Sequence, residues 1–361
     1  MKIGIDLTPA LKDKAGIGYV AFSMIEALSK IDTNNQYELL TNIYPSDLNL
    51  NLASNFKITV IDSTKADTFW MLKGSKYLKE NKFDAFISTS NFLWSIIYPN
   101  TIQMVHDIAP IRYPQFFSKK GSLFYNIQLR LALKKARFVV TISKTVLGEL
   151  LQMDSKPNKD FILLGLHDWA LSTKNEAKNK EVFTKYNLPP NYLIMVGTLE
   201  PRKNHVTAIK AFSFFIKEYP QYKLVIVGKK GWFYNEIFKT VSDLKLENSV
   251  LFTGYVPEAD LASLIDLSIG GIQLSIYEGF GLPIIEFTAR GKPVLASNIA
   301  VFKEVATDIN SVIFVNPSKP EDIKMGMVNL MNNIQVTDQS VIKKYSWESF
   351  AEKLLSIIQN L

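Results

Sequence analysis

The stretch YLIMVGTLEPRKNHVTAIKAFSFFIKEYP, residues 192–220, decides the fold class. It opens with five apolar residues in a row, which is typical of a strand buried on both faces of a sheet. After a polar turn, apolar residues recur at helical spacing and predict an amphipathic helix. These residues are Val206, Ile209, Phe212 and Ile216. A buried strand followed by a helix is the repeating unit of a parallel α/β sheet.

The same alternation extends along the whole chain. The strand candidates are KIGID, YELLTN, KITVID, DAFIST, TIQMVHD, RFVVTIS and DFILLG in the first half and YLIMVGT, KLVIVG, SVLFTG, SIGGIQLS, KPVLAS and SVIFVN in the second. Two such series in succession predict an α/β protein with two Rossmann-like, doubly wound parallel-sheet domains. A length of 361 residues also favours two domains over one core.

A polar, lysine-rich segment marks the boundary between the two series. It reads LSTKNEAKNKEVFTKYNLPPNY and ends in a double proline. We therefore expect an N-terminal domain over 1–170, a linker over 171–188 and a C-terminal domain over 189–342. A final helix within 343–361, capped by Ser346, should pack back toward the N-terminal domain.

The composition excludes several classes of protein. The chain contains no cysteine, hence no disulfide or thiolate metal ligand, and this fits a reducing compartment. The start MKIGIDLTPA reads as a strand and a loop, and no apolar run approaches the ~20 residues that span a bilayer. We expect a cytoplasmic protein, either free or peripheral at the inner face of the cell membrane.

Positive charge is concentrated in the segment 112–144. It holds eight basic residues and no acidic one, whereas the net charge of the whole chain is +7. Aromatic residues are interleaved with this charge, and helical spacing predicts one basic face with Arg130, Lys134 and Arg137. The segment is either a solvated helix face or a contact with an anionic membrane. A nucleic-acid partner is not expected, because no recognised binding motif accompanies the charge.

Charged residues follow the strands of the C-terminal domain where ligands of open α/β sheets bind. Arg202 and Lys203 follow the strand YLIMVGT. The stretch SIYEGFGLPIIEF, residues 275–287, places Glu278 in a glycine-containing corner, with Pro283 at the expected helix start and Glu286 in the opening turn. Cations and helix amides suit a diphosphate, and carboxylates suit vicinal hydroxyls. Nucleotide sugars carry both groups.

The motifs GTLEPRKN and YEGFGLPIIE together closely resemble glycosyltransferase family 4, whose members are retaining enzymes of GT-B architecture. The resemblance implies two Rossmann-like domains facing a central cleft. The second motif is similar to the E-x7-E signature of the family, from Glu278 to Glu286. The likeness is strong over 192–316. In the looser N-terminal half, AGIGY resembles the family's glycine loop and MVHDIAP its histidine segment, and YSWESFAEKL resembles the final helix.

The resemblance implies a role for each matching residue. Arg202 and Lys203 would neutralise the donor diphosphate, Glu278 would accept hydrogen bonds from the sugar and Glu286 would hold the ribose hydroxyls. His106 would contact the transferred sugar. The implied catalytic residues are His106, Arg202, Lys203 and Glu278. The implied donor-binding residues are Gly16, Arg202, Lys203, Tyr255, Val256, Glu278, Gly279, Phe280, Gly281, Leu282 and Glu286, with Gly16 near the phosphates and Tyr255 and Val256 lining the base pocket.

The implied reaction is transfer of a hexose with retention, without a metal or cofactor. The donor would be a nucleoside diphosphate sugar, and the acceptor a glycan or a polyprenyl-diphosphate-linked glycan of cell-surface polysaccharide or lipopolysaccharide biosynthesis. GTLEPRKN resembles a branch rich in bacterial polysaccharide mannosyltransferases, so GDP-mannose is favoured over UDP-sugars. One departure is Thr198, which stands after Gly197 where many relatives have arginine.

Other interpretations remain open from the sequence. The protein could be a sugar-nucleotide epimerase or hydrolase of the same fold, or a non-catalytic nucleotide-sugar-binding subunit. Glu286 could merely complement a helix dipole, and His106 could be a core histidine. His167 and His205 are assigned no role. The chain contains no G-x-G-x-x-G, P-loop, G-x-S-x-G or D-x-D motif, which argues against the corresponding dinucleotide, ATPase, hydrolase and metal sites.

Overall fold

The computed structural model describes residues 1–12, 16–44, 50–61, 69–156, 158–332 and 339–361. These residues form two units. The first unit comprises Met1–Gly165 and Tyr345–Leu361, and the second comprises Leu166–Lys344. Each unit contains a parallel sheet, as the alternation of strands and helices predicts.

The sheet of the first unit has the order β3-β2-β1-β4-β5-β6-β7 in its described part. Its strands are β1 (Lys2–Asp6), β2 (Gln36–Thr41), β3 (Phe56–Val60), β4 (Ala85–Ser88), β5 (Thr101–Val105), β6 (Phe138–Thr141) and β7 (Lys159–Phe161). Successive strands move outward from β1 in one direction and from β4 in the other, so the sheet is doubly wound. Its central strands are buried along nearly their whole length because helices cover both faces.

Helices connect these strands and cover the sheet. They are α1 (Thr8–Lys12), α2 (Ile17–Ile31), α3 (Phe69–Glu80), α4 (Leu93–Ile97), α5 (Ala109–Arg112), α6 (Lys119–Lys135) and α7 (Lys144–Met153), followed after the second unit by the terminal helix Trp347–Gln359. Ser346 caps the terminal helix by accepting a hydrogen bond from the amide of Ser349 at 3.1 Å. The helix packs against α2, where the rings of Trp347 and Tyr19 meet edge to face.

The second unit repeats this plan with the strand order β10-β9-β8-β11-β12-β13. Its strands are β8 (Tyr192–Val196), β9 (Lys223–Val227), β10 (Val250–Gly254), β11 (Gly270–Gln273), β12 (Val294–Ser297) and β13 (Val312–Val315). The strand order reverses between β8 and β11, which lie side by side in parallel register.

The helices of the second unit pack on this sheet or on one another. They are α8 (Asp168–Leu171), α9 (Glu176–Lys185), α10 (His205–Glu218), α11 (Asn235–Asp243), α12 (Glu258–Leu267), α13 (Leu282–Ala289), α14 (Ala300–Val305) and α15 (Pro320–Asn332). The predicted amphipathic helix is α10. Ile209 and Phe212 are fully buried, and Val206 and Ile216 pack against the edge of the same core.

The segment 171–188, which we expected to be a linker, lies within the second unit. Helix α9 packs on α12, and Val182 is fully buried. Lys178 and Lys185 place their Nζ atoms 2.9 and 2.6 Å from the carboxylate of Asp260, whose side chain is 3% exposed. From sequence alone these lysines suggest a solvated segment. Their partner Asp260 lies about eighty residues away in the chain, so no local pattern reveals the contact. The unit boundary therefore falls earlier, between Gly165 and Leu166.

Candidate functional site

The candidate site lies where the strand order of the second sheet reverses. The loop after β8 carries Arg202 and Lys203, and the loop after β11 carries Glu278. The amide of Ile276 donates to the carbonyl of Arg202 at 2.9 Å and joins the two loops. Because β8 and β11 are neighbours, residues distant in sequence meet at one point on the carboxyl edge of the sheet, the usual ligand position in open α/β sheets.

Glu278 is bound by both cations. Nη1 of Arg202 lies 2.6 Å from Oε2 of Glu278, and Nζ of Lys203 lies 2.5 Å from Oε1. The three side chains are only 12–18% exposed. The sequence predicts cations for a diphosphate and carboxylates for hydroxyls, and in this structure the two kinds of group neutralise each other.

Burial and charge act in opposite directions on the acids of this cluster. Burial alone would raise the pKa of Glu278, but the positive charges of Arg202 and Lys203 outweigh it and lower the pKa to about 2. Glu278 therefore stays ionised at neutral pH. In the neighbouring Glu200 burial is the larger effect, and the pKa is raised. Within the described ranges, no group of three or more histidine, aspartate or glutamate side chains is placed to hold a metal ion.

Two further side chains orient the cluster and were not singled out from the sequence. Glu200 accepts from Arg202, with Oε1 lying 2.8 Å from Nη2 and 3.1 Å from Nε. The hydroxyl of Ser275 donates to Oε1 of Glu278 at 2.7 Å. Both residues lie inside the motifs quoted above, but their contacts depend on the loop conformation and not on spacing along the chain.

The glycine corner sets the start of α13. Gly281 precedes the helix with φ of 114°, in the region that favours glycine. A Cβ atom there would lie 2.7 Å from the ring of Phe302. The helix begins at Leu282, so Pro283 is its second residue and Glu286 its fifth. Pro283 thus lies in the first turn of the helix, as predicted. The predicted position of Glu286 in the opening turn was wrong, so Glu286 is not explained as a first-turn partner of the helix dipole.

Glu286 is instead paired with a histidine. It is 4% exposed, and its Oε1 lies 2.5 Å from Nδ1 of His167, which immediately precedes α8. Burial lowers the pKa of His167, but the negative charge of Glu286 outweighs this effect and the net shift is upward. His167 was assigned no role from the sequence, since neither its position nor its neighbours match a motif.

The remaining residues of the predicted donor site in this unit lie at different depths. Gly279, Phe280 and Gly281 form the corner between Glu278 and α13, which begins at Leu282, and the side chain of Phe280 is buried. Val256 is 6% exposed and Tyr255 is 67% exposed, and both follow β10, two strands away from β8. The structure thus brings together Arg202, Lys203 and Glu278, and it places Tyr255 further along the same edge.

His106 and Gly16 belong to the first unit. His106 follows β5, and its Nε2 donates to the carbonyl of Thr89, after β4, at 2.6 Å. Burial lowers the pKa of His106, so the ring is neutral at pH 7 with Nδ1 as its acceptor. Gly16 caps α2 with φ of 55°, and nothing lies within 4 Å of a Cβ built there, so backbone conformation rather than space favours glycine. Ala15 of the AGIGY segment lies outside the described residues.

The basic segment divides into structural and exposed parts. Arg137 was predicted to share a face with Arg130 and Lys134, but α6 ends at Lys135. Arg137 instead donates to the carbonyl of Asp84 at 3.0 Å and to Oδ1 of Asn100 at 2.7 Å. Tyr125 donates to the carbonyl of Asp107 at 2.5 Å. These groups are part of the fold of the first unit.

The outer face of α6 combines apolar and basic side chains. The apolar members are Leu123, Phe124, Ile127 and Leu131, which are 62%, 61%, 49% and 42% exposed. The exposed basic members are Lys119, Lys120, Arg130, Lys134 and Lys135. We call these nine side chains the α6 face. Across the described residues, no helix has the length and hydropathy needed to cross a membrane.

Sequence comparison connects the second unit to a known family. The family model described as glycosyl transferases group 1 matches residues 175–345, almost the whole unit. The second unit therefore resembles the group 1 glycosyl transferases. All the residues of the Glu278 cluster lie inside the matched range.

Individual proteins similar to this chain are also glycosyltransferases. O-antigen chain mannosyltransferase B of Escherichia coli is 27% identical over 259 residues, which cover 68% of this chain and 66% of the relative. O-antigen chain mannosyltransferase RfbU of Salmonella typhimurium is 30% identical over 229 residues, which cover 63% of this chain and 59% of the relative. The matches thus span less than two thirds of these relatives. The predicted resemblance to bacterial mannosyltransferases is confirmed.

Solved structures resemble the whole chain. The crystal structure of Anabaena HepE in complex with UDP and glucose aligns with a TM-score of 0.76 at 16% identity, covering 100% of this chain and 99% of that one. WaaG, a glycosyltransferase involved in lipopolysaccharide biosynthesis, aligns with a TM-score of 0.74 at 13% identity, covering 100% of both chains. At these identities the likeness establishes the fold, and the predicted GT-B architecture with two Rossmann-like units is confirmed.

Proposed function

We propose that this protein is a hexosyltransferase that moves a sugar from a nucleoside diphosphate to a hydroxyl of a glycan or lipid-linked glycan. The observation that carries the proposal is the pairing of Arg202 and Lys203 with Glu278 at the reversal of strand order in a unit that resembles the group 1 glycosyl transferases. This arrangement offers positive charge for a diphosphate and carboxylate oxygens for sugar hydroxyls at one place.

Donor binding exchanges partners within this cluster. The diphosphate of the donor competes with Glu278 for Nζ of Lys203 and for the guanidinium of Arg202. Glu278 keeps the hydroxyl of Ser275 as a donor and turns its other acceptor capacity toward the sugar. Glu200 remains bound to Nε and Nη2 of Arg202 and holds the guanidinium plane in place. The cations therefore change partners with little movement.

Transfer requires stabilisation of the leaving nucleoside diphosphate. The acceptor hydroxyl attacks the anomeric carbon, the bond from that carbon to the diphosphate oxygen breaks, and the hydroxyl proton passes to the departing phosphate. Lys203 and Arg202 stabilise the negative charge that develops on the phosphate, which makes an additional metal or cofactor unnecessary in this proposal. We propose attack on the face that the diphosphate leaves, and hence retention of configuration.

The first unit contributes by orientation. His106 is neutral and uses Nε2–H for the carbonyl of Thr89, so its remaining nitrogen can only accept a hydrogen bond. We propose that Nδ1 accepts from a hydroxyl of the transferred sugar, and that the backbone at Gly16 approaches the phosphates. In this role His106 positions the sugar and does not supply a proton.

For the donor we propose GDP-mannose ahead of UDP-sugars. The support is that two relatives are named as O-antigen mannosyltransferases. The proposed base pocket is lined by Tyr255 and Val256, and the proposed phosphate contacts are the corner residues Gly279, Phe280, Gly281 and Leu282. Glu286 is proposed to hold the ribose hydroxyls.

For the acceptor we propose a polyprenyl-diphosphate-linked glycan of cell-surface polysaccharide or lipopolysaccharide biosynthesis. The α6 face supports this proposal, because exposed apolar side chains flanked by lysines suit a peripheral contact with an anionic bilayer at the inner face of the membrane. Such a contact would bring the enzyme to an acceptor that does not leave the membrane.

The test is a thermal-shift panel followed by a transfer assay. GDP-mannose, UDP-glucose, GDP, UDP and ADP are each added to the full chain, and a nucleotide at 100 times its dissociation constant should stabilise the fold by about 2.7 kcal/mol. The donor found in this way is then incubated with a glycan or lipid-linked acceptor. Hydrolysis of the donor at the full rate without acceptor would favour a hydrolase. Binding of the donor without turnover with any acceptor would favour a non-catalytic subunit. If none of the nucleotides or nucleotide sugars binds, the proposal is overturned.

A further inference from the structure

Helix α13 is bound to a neighbouring segment at two points, one near its middle and one at its C-terminal end. Near the middle of the helix, Oε1 of Glu286 lies 2.5 Å from Nδ1 of His167. At its end, Arg290 donates from Nη1 to the carbonyl of Trp169 at 3.3 Å and to the hydroxyl of Ser172 at 3.2 Å. The short segment 167–172, which includes α8, therefore lies along α13 and is fixed to it by two charged side chains.

The fixation at Arg290 is rigid. Its side chain is 3% exposed, and Nε donates to Oδ1 of Asp266 at 2.9 Å while Nη2 pairs with Oδ2 of the same carboxylate. The fork geometry of an arginine–carboxylate pair leaves the remaining guanidinium nitrogen in a fixed direction, toward the carbonyls of 169 and 172. The backbone that follows His167 is thus held by contacts that do not involve Glu286.

The pair of His167 and Glu286 is largely shielded from water. The two side chains are 12% and 5% exposed, and the ring of Trp169 lies 5.7 Å from the imidazole. The charged groups that raise the pKa of His167 are Glu286 on α13, Glu258 at the start of α12 and Asp168 next to it. A buried carboxylate that loses a charged partner must rotate or take up a proton, because an unpaired buried charge is costly.

We propose that protonated His167 is the positioning residue that holds Glu286 in its ligand-binding orientation, and that affinity for the nucleotide sugar falls when His167 loses its proton. This inference rests on the proposed function, in which Glu286 holds the ribose. With Oε1 directed to the imidazolium, Oε2 is the oxygen that accepts from the vicinal hydroxyls. Loss of the charge weakens the bond to Oε1 about twofold in strength and releases the carboxylate.

The direction of the pH effect follows from the net shift. Because the acids around His167 outweigh burial and raise its pKa above the ordinary 6.5, the imidazolium is present at pH 6 and is lost as the pH rises through the raised pKa. Affinity should therefore be highest at the acidic end of this range. A nucleotide sugar is the correct probe, because the terminal phosphate of a free nucleoside diphosphate titrates near pH 6 and would add its own pH dependence.

The test measures the dissociation constant of GDP-mannose and of UDP-glucose by calorimetry from pH 6 to 9 on the full chain. Wild type should bind about tenfold more weakly at the alkaline end. His167→Gln, which keeps an amide donor but no charge, should bind weakly at every pH with a flat profile. Lys174→Gln removes an exposed charge from the adjacent chain and should reproduce the wild-type profile.

A double-mutant cycle separates positioning from a structural role. If His167 acts through Glu286, adding His167→Gln to Glu286→Gln should weaken binding no further. The inference is overturned if His167→Gln keeps the wild-type pH profile, if it weakens binding by a constant factor while the profile persists, or if the two variants are additive. Absence of any nucleotide-sugar binding by wild type would be a different result, because it would overturn the proposed function itself.

Discussion

Nζ of Lys203 lies 2.5 Å from Oε1 of Glu278, although the two residues are 75 positions apart in the chain. Arg202 holds the other oxygen at 2.6 Å. A carboxylate bound by two cations orders all three side chains before a ligand arrives, so their loss of rotational freedom accompanies folding and not binding. Glu278 thus prepares the cations for the diphosphate as well as contacting the sugar in the proposed reaction.

Replacing Lys203 tests whether its charge assists departure of the leaving group. Lys203→Ala should lower kcat with saturating donor by about 10²–10³-fold, the loss that follows removal of a group stabilising a developing oxyanion. Initial rates with saturating acceptor measure this effect. Lys210→Ala, an exposed cation on α10, is the matched control and should keep the wild-type rate. An unchanged kcat in Lys203→Ala would show that the charge serves only to bind the donor.

The ion pairs of Glu278 also predict a dependence of stability on pH. Its pKa of about 2 lies below the ordinary 4.5, so the paired carboxylate stabilises the fold above pH 4.5 and this contribution disappears as the pH falls toward 2. Urea unfolding at a series of pH values should show wild type more stable than Glu278→Gln by ~3 kcal/mol at pH 7, with the gap closing below pH 4.5. A gap that persists undiminished at low pH would mean that the charge of Glu278 is not what stabilises the cluster.

Periodicity was sufficient to predict both sheets, because continuous apolar strands and amphipathic helices are local signals. The boundary was predicted too late along the chain because α9 is mostly polar, and its attachment depends on Asp260, which lies beyond the reach of local pattern. The predicted face of Arg130, Lys134 and Arg137 was wrong for the same reason, because the partners of Arg137 are distant from it in the chain.

The candidate site was predicted as a set of residues but not as a network. Spacing and family resemblance identified Arg202, Lys203 and Glu278, which the structure brings together. Neither signal showed that Glu278 is the partner of both cations. His167 lacked any motif, and its contact with Glu286 arises only because the chain before α8 packs along α13. Contacts between segments that are distant in the chain arise only in the folded protein and leave no signal in the local sequence.

Gly281 should be required by both its backbone angle and its surroundings. Gly281→Ala places a Cβ 2.7 Å from the ring of Phe302 at φ of 114° and should destabilise the second unit by ~2–3 kcal/mol. The free energy of unfolding in urea measures this loss. Gly291→Ala is the control, since φ there is 70° but nothing lies within 4 Å of the added carbon. It should cost only ~1 kcal/mol, and equal losses at the two positions would contradict the steric part of the argument.

The α6 face should bind anionic membranes through two separable contributions. Changing Lys119, Lys120, Lys134 and Lys135 to glutamate reverses the charge, and Leu123→Ser with Phe124→Ser removes the most exposed apolar groups. Each set should shift the protein from the vesicle fraction to the soluble fraction in a flotation assay with phosphatidylglycerol-containing vesicles. Lysines near a charged surface contribute about 1 kcal/mol each, so four reversals should abolish binding at physiological salt.

A matched control distinguishes this face from general basicity. Lys210, Lys217, Lys239 and Lys245 are exposed on the second unit, and their change to glutamate alters the net charge by the same amount. If the α6 face is the docking surface, this control variant should float with the vesicles like wild type. The apolar variant should lose binding even at low salt, where electrostatic attraction is greatest, because insertion of Leu123 and Phe124 does not depend on ionic strength. Equal partitioning of all variants would show that α6 is an ordinary solvated helix.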